Sequence, residues 1–136
     1  MSEKNRSIAV KFYNEQDRLK GNLPGALVAL DYVAIINGGP PVSSSGHEEM
    51  GAMFWGAFPD IRQAIEETIA EGDRVAVRFT MHASHLGDFM GTPASGKKVA
   101  VSGIGILRIV DGKVAEFREE IDLMGLMQQI GALPAH

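Results

Sequence analysis

The chain has 136 residues, one domain's length, with 45% apolar and 22% charged residues, an ordinary globular composition. It contains no cysteine, which excludes a disulfide framework, a thiolate nucleophile and a zinc–thiolate site, and its net charge of −4 gives no reason to bind nucleic acid. No apolar run is long enough to span a membrane, and the polar start, Met1 to Arg6, lacks a signal-peptide apolar stretch, so a single cytoplasmic domain over residues 1–136 is expected.

Ile8, Phe12 and Leu19 recur near helical spacing, with Ala9 and Tyr13 beside them, and predict a helix over Lys4–Leu19 ended by Gly21-Asn22. Asn22 is then expected to cap a short second helix, with Pro24 in its first turn and Leu27 and Leu30 on its apolar face. The run from Gly38 through Pro40, Pro41 and three serines to Ser45 reads as a loop. Ser45 is expected to cap a third helix carrying His47, Met50, Phe54 and Trp55 and stopping before Pro59, with His47 exposed near its start. Asp60 to Ala70 is ambiguous: Ile61, Ala64, Ile65, Thr68 and Ile69 fall at helical spacing, so the pattern alone favours helix.

The second half reads as sheet. Arg74 to His82 alternates, with Val75, Val77, Phe79 and Met81 on one face, after a hairpin turn at Glu71-Gly72-Asp73. Lys98 to Val110 is a second long strand, Asp111-Gly112 a tight hairpin turn, and Val114 to Ile121 the returning strand. Leu123 to Ile130 closes as a helix that Asp122 can cap and Gly131 stops. Helices followed by antiparallel hairpins give an α+β class.

No phosphate-binding loop, dinucleotide fingerprint, zincin or nucleophile-elbow motif occurs, so any chemistry must use carboxylates, histidines and polar donors. On the last strand Phe117, Glu119 and Ile121 share one face. A carboxylate between two large apolar neighbours is either a solvated sheet edge or an acid held with a raised pKa in a pocket, the state suited to general acid/base work. His82 and His85, three apart at the end of a strand, do not point together. His85 can orient a carbonyl, relay a proton, or simply pin its loop through backbone hydrogen bonds. Without a third ligand these histidines do not make a metal site. Arg78 reaches either an acidic partner or ligand carbonyl, or forms a surface ion pair. Met50, Met53, Phe54, Trp55, Phe58, Phe89 and Met90 are either plain core or the adaptable lining of a pocket for a flat apolar ligand.

Several segments occur in a characteristic order: Ala57-Phe58-Pro59-Asp60, Glu71 to Arg78, His85-Leu86-Gly87-Asp88-Phe89-Met90-Gly91-Thr92-Pro93 with Gly96-Lys97-Lys98, Arg108 to Val114, and Gln128-Gln129-Ile130-Gly131. The ordered set, covering nearly the whole chain, resembles the SnoaL-like polyketide cyclases (ester cyclases) of the nuclear-transport-factor-2-like fold. The resemblance implies a cone-shaped curved antiparallel sheet with N-terminal helices on its concave face around an apolar pocket. On that template Arg62 to Ala70 is a strand, which overrides the helical pattern. It further implies an intramolecular aldol cyclisation without metal or cofactor, an apolar or aromatic small-molecule ligand, and a homodimer. Counting from Gly131 and from Asp111-Gly112 places the family's acid/base residue at Glu119. It places the family's two helper side chains at Gly103 and Gly105, so a roomier, less polar pocket is expected. His85 is then the second catalytic candidate. Asn37, Phe54, Trp55, Phe58, Arg78, Phe89, Met90 and Phe117 are the substrate-binding candidates. An isomerase or hydratase on the same fold, or non-catalytic binding of an apolar metabolite, remain alternative functions.

Overall fold

The computed structural model describes residues 2–133. Helix α1 (Ser2–Arg18) buries Ala9, Phe12, Tyr13 and Gln16, one stripe at helical spacing, against the concave face of a curled five-stranded sheet. The expected second helix over residues 22–30 does not form. One 3-10 turn (Gly25–Leu27) leads instead into strand β1 (Val28–Ile36). The β-branched residues Val28, Val33, Ile35 and Ile36 suit a strand, and β1 finds an open edge to pair with, so its backbone bonds outweigh the helical spacing of Leu27 and Leu30. Leu30 consequently points fully into solvent.

After the loop, in which Val42 bridges back to Ala34, helix α2 spans Ser44–Ala57. Its cap is Ser43, not Ser45: the Ser43 hydroxyl accepts from the Gly46 N–H at 3.2 Å. Strand β2 (Arg62–Glu71) occupies the ambiguous segment. Its register against β3 (Arg74–Ser84), Arg62 opposite His82 through Glu71 opposite Arg74, satisfies backbone groups that an isolated short helix would leave to itself. Strand β4 (Lys98–Val110) buries every second residue, Val99, Val101, Gly103, Gly105, Leu107 and Ile109. Asp111 (φ 52°) and Gly112 (φ 78°) make the primed hairpin turn expected of Asp-Gly, and β5 (Lys113–Ile121) returns. Helix α3 (Leu123–Gln129) is capped by Asp122, whose carboxylate accepts from the Gly125 N–H at 2.9 Å.

The strand order is β1-β5-β4-β3-β2. The sheet is mixed rather than antiparallel throughout as expected: β1, entering from the N-terminal side, runs parallel to β5, and every other pairing is antiparallel. Irregular registers between Ile65 and Glu67 and between Arg108 and Ile109 are bulges, which increase local twist and help the sheet curl around α1. The α+β architecture expected from the resemblance is therefore present, with its concave face closed by α1 and α2. Among the described residues no helix is long and apolar enough to cross a membrane.

Candidate active site

Strand alternation turns Phe117, Glu119 and Ile121 to the concave side. Register places Glu119 opposite Gly105 of β4 and Ile36 of β1. A Cβ on Gly105 would overlap the hydroxyl oxygen of Tyr13, and one on Gly103 would come 2.5 Å from the Phe79 ring. The two glycines therefore do not leave the expected roomier, less polar space: Tyr13 and Phe79 fill it, and Tyr13 brings a polar group. Its hydroxyl donates to Glu119 Oε2 at 2.9 Å. Tyr13 is fully buried. Burial, with the Glu119 carboxylate second, holds its pKa well above the ordinary phenol value, so it stays a neutral donor.

Glu119 is half-buried and faces a pocket between α1, α2 and the sheet. Displacement of water pushes its pKa up to about 7, against the smaller lowering effect of the Tyr13 hydrogen bond. The pocket comprises about 500 Å³ of empty space, open mouth included. Its walls are mostly apolar, from Ile36, Met50, Phe54, Ile61, Met81 and Ile121. Among the described residues no cluster of three or more His, Asp or Glu side chains stands ready to hold a metal ion.

Three further polar side chains reach this pocket. His47, expected to be exposed, is buried, because α2 lies against β1 and the imidazole packs on Phe117 of β5 rather than facing solvent. Its ring stacks 5.0 Å from Phe117 and 6.1 Å from Tyr32, and Nδ1 shares a 2.9 Å hydrogen bond with the Tyr32 hydroxyl. Burial pushes its pKa down to about 4, so the imidazole is neutral at pH 7. Gln16 and Gln63 form a linked pair on the adjacent wall, anchored on Asp17.

Of the residues singled out from sequence, Glu119, Met50, Phe54 and Trp55 line the pocket. Phe117 lies directly behind it, packed on Phe12, Tyr13 and His47. The others stand elsewhere. His85 is fully buried under the loop that follows β3, where Nδ1 accepts from the Ser95 backbone N–H at 3.1 Å and contacts the Ser95 hydroxyl at 2.9 Å. It pins that loop and does not line the pocket. Phe58 and Phe89 pack with His85 and Phe54 in a closed aromatic cluster, while Met90 points outward. Arg78 lies on the outer sheet face, paired with Glu67 at 3.0 Å and on the opposite side from Glu119. Asn37 joins the ends of β1 and β5: its carbonyl oxygen accepts from Ile121 N–H at 2.8 Å and its amide donates to Ile121 C=O at 3.3 Å. Both of its polar ends are thus occupied by backbone.

Sequence reasoning missed Tyr13, Tyr32, His47, Gln16 and Gln63 as parts of the site. The available signal was the pair of small residues Gly103 and Gly105 at inward positions of β4, which demand a large partner from another element.

A carboxylate of raised pKa, held by a buried tyrosine at an apolar pocket inside an α+β cone, is an arrangement suited to acid/base chemistry on small molecules. Residues 7–130 match the model of the SnoaL-like polyketide cyclase family, and the chain belongs to that family. It is 33% identical over 83 residues to the aklanonic acid methyl ester cyclase DauD of Streptomyces sp. (strain C5), covering 59% of this chain and 52% of that protein. It is 28% identical over 60 residues to the nogalonic acid methyl ester cyclase of Streptomyces nogalater, covering 44% and 45%. The chain thus spans about half the length of these curated relatives. The crystal structure of AclR, a proposed hydroxylase from Streptomyces galilaeus, superposes with a TM-score of 0.89 at 30% identity, covering 100% of this chain and 86% of that one.

Proposed function

We propose that this protein catalyses an intramolecular aldol cyclisation of a polyketide, with Glu119 as the sole proton-transferring group. The carrying observation is the Tyr13–Glu119 hydrogen bond at the apolar pocket. It leaves Oε1 of the carboxylate as the oxygen free to take a proton.

Glu119 carboxylate removes a proton from the carbon between two carbonyl groups, leaving an enolate. That carbon attacks a further carbonyl carbon of the same molecule, forming the ring's C–C bond. The resulting alkoxide recovers the proton from Glu119, which returns to carboxylate. A pKa of about 7 suits both steps near neutral pH, since the group must be a base first and an acid afterwards. Tyr13 acts through Glu119 as a positioning residue. His47, neutral and hydrogen-bonded through Nδ1 to the Tyr32 hydroxyl, offers an Nε2–H to the enolate oxygen in the tautomer in which Tyr32 is the donor. No step uses a metal or organic cofactor.

The relatives supply the substrates to test: aklanonic acid methyl ester and nogalonic acid methyl ester. An aldol ring closure leaves the mass unchanged, so chromatography with mass detection should show an isomeric product. Glu119→Gln should lower turnover at least about 100-fold, the usual contribution of a positioned general base. Full turnover by that variant would overturn the assignment. The likeness to AclR supports a second reading, hydroxylation, which the same assay separates because that product gains one oxygen in mass.

A further inference from the structure

The pocket wall away from Glu119 carries two amides whose orientation can be worked out from their partners. Asp17 accepts twice from Gln63: the backbone N–H donates to Oδ2 at 2.8 Å and the side-chain Nε2 donates to Oδ1 at 2.8 Å. The other hydrogen on Gln63 Nε2 goes to Gln16 Oε1 at 3.2 Å. Turning the Gln63 amide over would set its carbonyl oxygen against a carboxylate, so the chain of bonds has one sense. Both Gln63 amide hydrogens are then used, and Gln63 Oε1 is left as an acceptor. Gln16 has spent its oxygen, and Gln16 Nε2 is left as a donor. Gln16 is 4% exposed and Gln63 8%, yet neither free atom is among the buried polar atoms lacking a partner, and both residues line the pocket. The unspent acceptor and donor therefore open onto the pocket. Among the described residues no lysine or arginine lines it, while Glu119 does.

We propose that Gln16 and Gln63 form an orientation-locked donor–acceptor pair that reads a carbonyl and a neighbouring hydroxyl or N–H on a neutral ligand. This rests on the pocket being the substrate site, and it narrows the substrate class. Gln16 Nε2 donates to the ligand carbonyl, and Gln63 Oε1 accepts from the adjoining donor. Enolised 1,3-dicarbonyls, hydroxyketones and lactams present that pair, whereas a carboxylate would meet an acceptor and a second carboxylate. A site built this way discriminates strongly, because a ligand lacking the groups leaves buried amide atoms unpaired.

The test is calorimetric titration with three bicyclic probes of similar shape: 2-quinolinone, which has adjacent C=O and N–H, quinoline, which has only an acceptor, and naphthalene, which has neither. Wild type should bind 2-quinolinone about tenfold or more tighter than naphthalene, with quinoline between them. Gln16→Glu keeps the oxygen facing Gln63 but replaces the free donor by an acceptor. It should abolish that preference, and Gln63→Leu should do the same. Equal affinity for all three probes in wild type, or a preference that survives both substitutions, overturns the proposal and leaves the role of Glu119 standing. Binding of none of the probes overturns it together with the pocket reading. The wild-type series decides the matter even if a variant fails to fold.

Discussion

The hydroxyl of Tyr13, on the first helix, sits where a side chain at residue 105 would project and donates 2.9 Å to Glu119 on the last strand, 106 residues away in the chain. Glycine on one element, tyrosine on a second and glutamate on a third are thereby a single unit. Gly105→Ala should destabilise the protein by about 1–3 kcal/mol through overpacking. Much of that loss should vanish in a Tyr13→Phe background, where the clashing oxygen is gone. Urea denaturation of the two single variants and the double variant gives the coupling, which should be well above the few tenths of a kcal/mol seen for independent sites.

Tyr13→Phe also removes a contact that holds the Glu119 pKa down. Its carboxyl should titrate above the wild-type value, and the acid limb of the rate profile should move to higher pH. Activity should fall most below pH 7 and recover toward wild type in more alkaline buffer. A tyrosine that merely packed would instead lower activity evenly across the profile, so the shape of the pH–rate curve separates the two.

The same burial makes stability depend on pH in opposite senses at two residues. Glu119 goes from 4.5 when unfolded to about 7 when folded, so the native state holds its proton more tightly. Its stabilising effect is complete below pH 4.5 and is lost as pH rises through 7, a span of about 3 kcal/mol. His47 goes from 6.5 to about 4, so its contribution is complete above pH 6.5 and is lost as pH falls through 4, again about 3 kcal/mol. Between pH 4.5 and 6.5 the two slopes oppose each other. Glu119→Gln should therefore show stability rising across that window, and should exceed wild type most above pH 7. His47→Gln should show the reverse slope. Chemical denaturation at pH 4.5, 6 and 8 checks both.

The resemblance pointed to Glu119, which the fold turns toward the pocket, but it also drew in neighbours that the fold separates from it. His85, Arg78 and Asn37 have side chains suited to a carbonyl, yet each is committed elsewhere: to Ser95, to Glu67 and to the Ile121 backbone. Sequence shows residue type and spacing, whereas these commitments depend on which strand edge or loop comes alongside. The strands from Arg74 onward were legible because their alternation is regular and Asp-Gly specifies a primed turn. β1 was not, because Leu27 and Leu30 mimic a helical face and its partner lies at the far end of the chain. His47 was misjudged for the same reason: nothing near it in sequence reveals that Phe117 stacks on it.

Those separations predict contrasting variants. Arg78→Ala breaks an exposed pair and should change stability by less than about 1 kcal/mol, with no effect on turnover. Asn37→Ala removes two hydrogen bonds joining β1 to β5 and should cost about 1–3 kcal/mol. Its kcat at a temperature where it remains folded should match wild type. Thermal melts alongside rate measurements distinguish the two.

The poise of Glu119 can be read without any substrate. Carbon-13 NMR of the glutamate side-chain carboxyls, assigned with Glu119→Gln, follows its titration directly. A midpoint near 7 is expected, rising further in Tyr13→Phe. A midpoint at the ordinary value of 4.5, unchanged by that substitution, would contradict the assignment of Glu119 as a base held ready by Tyr13.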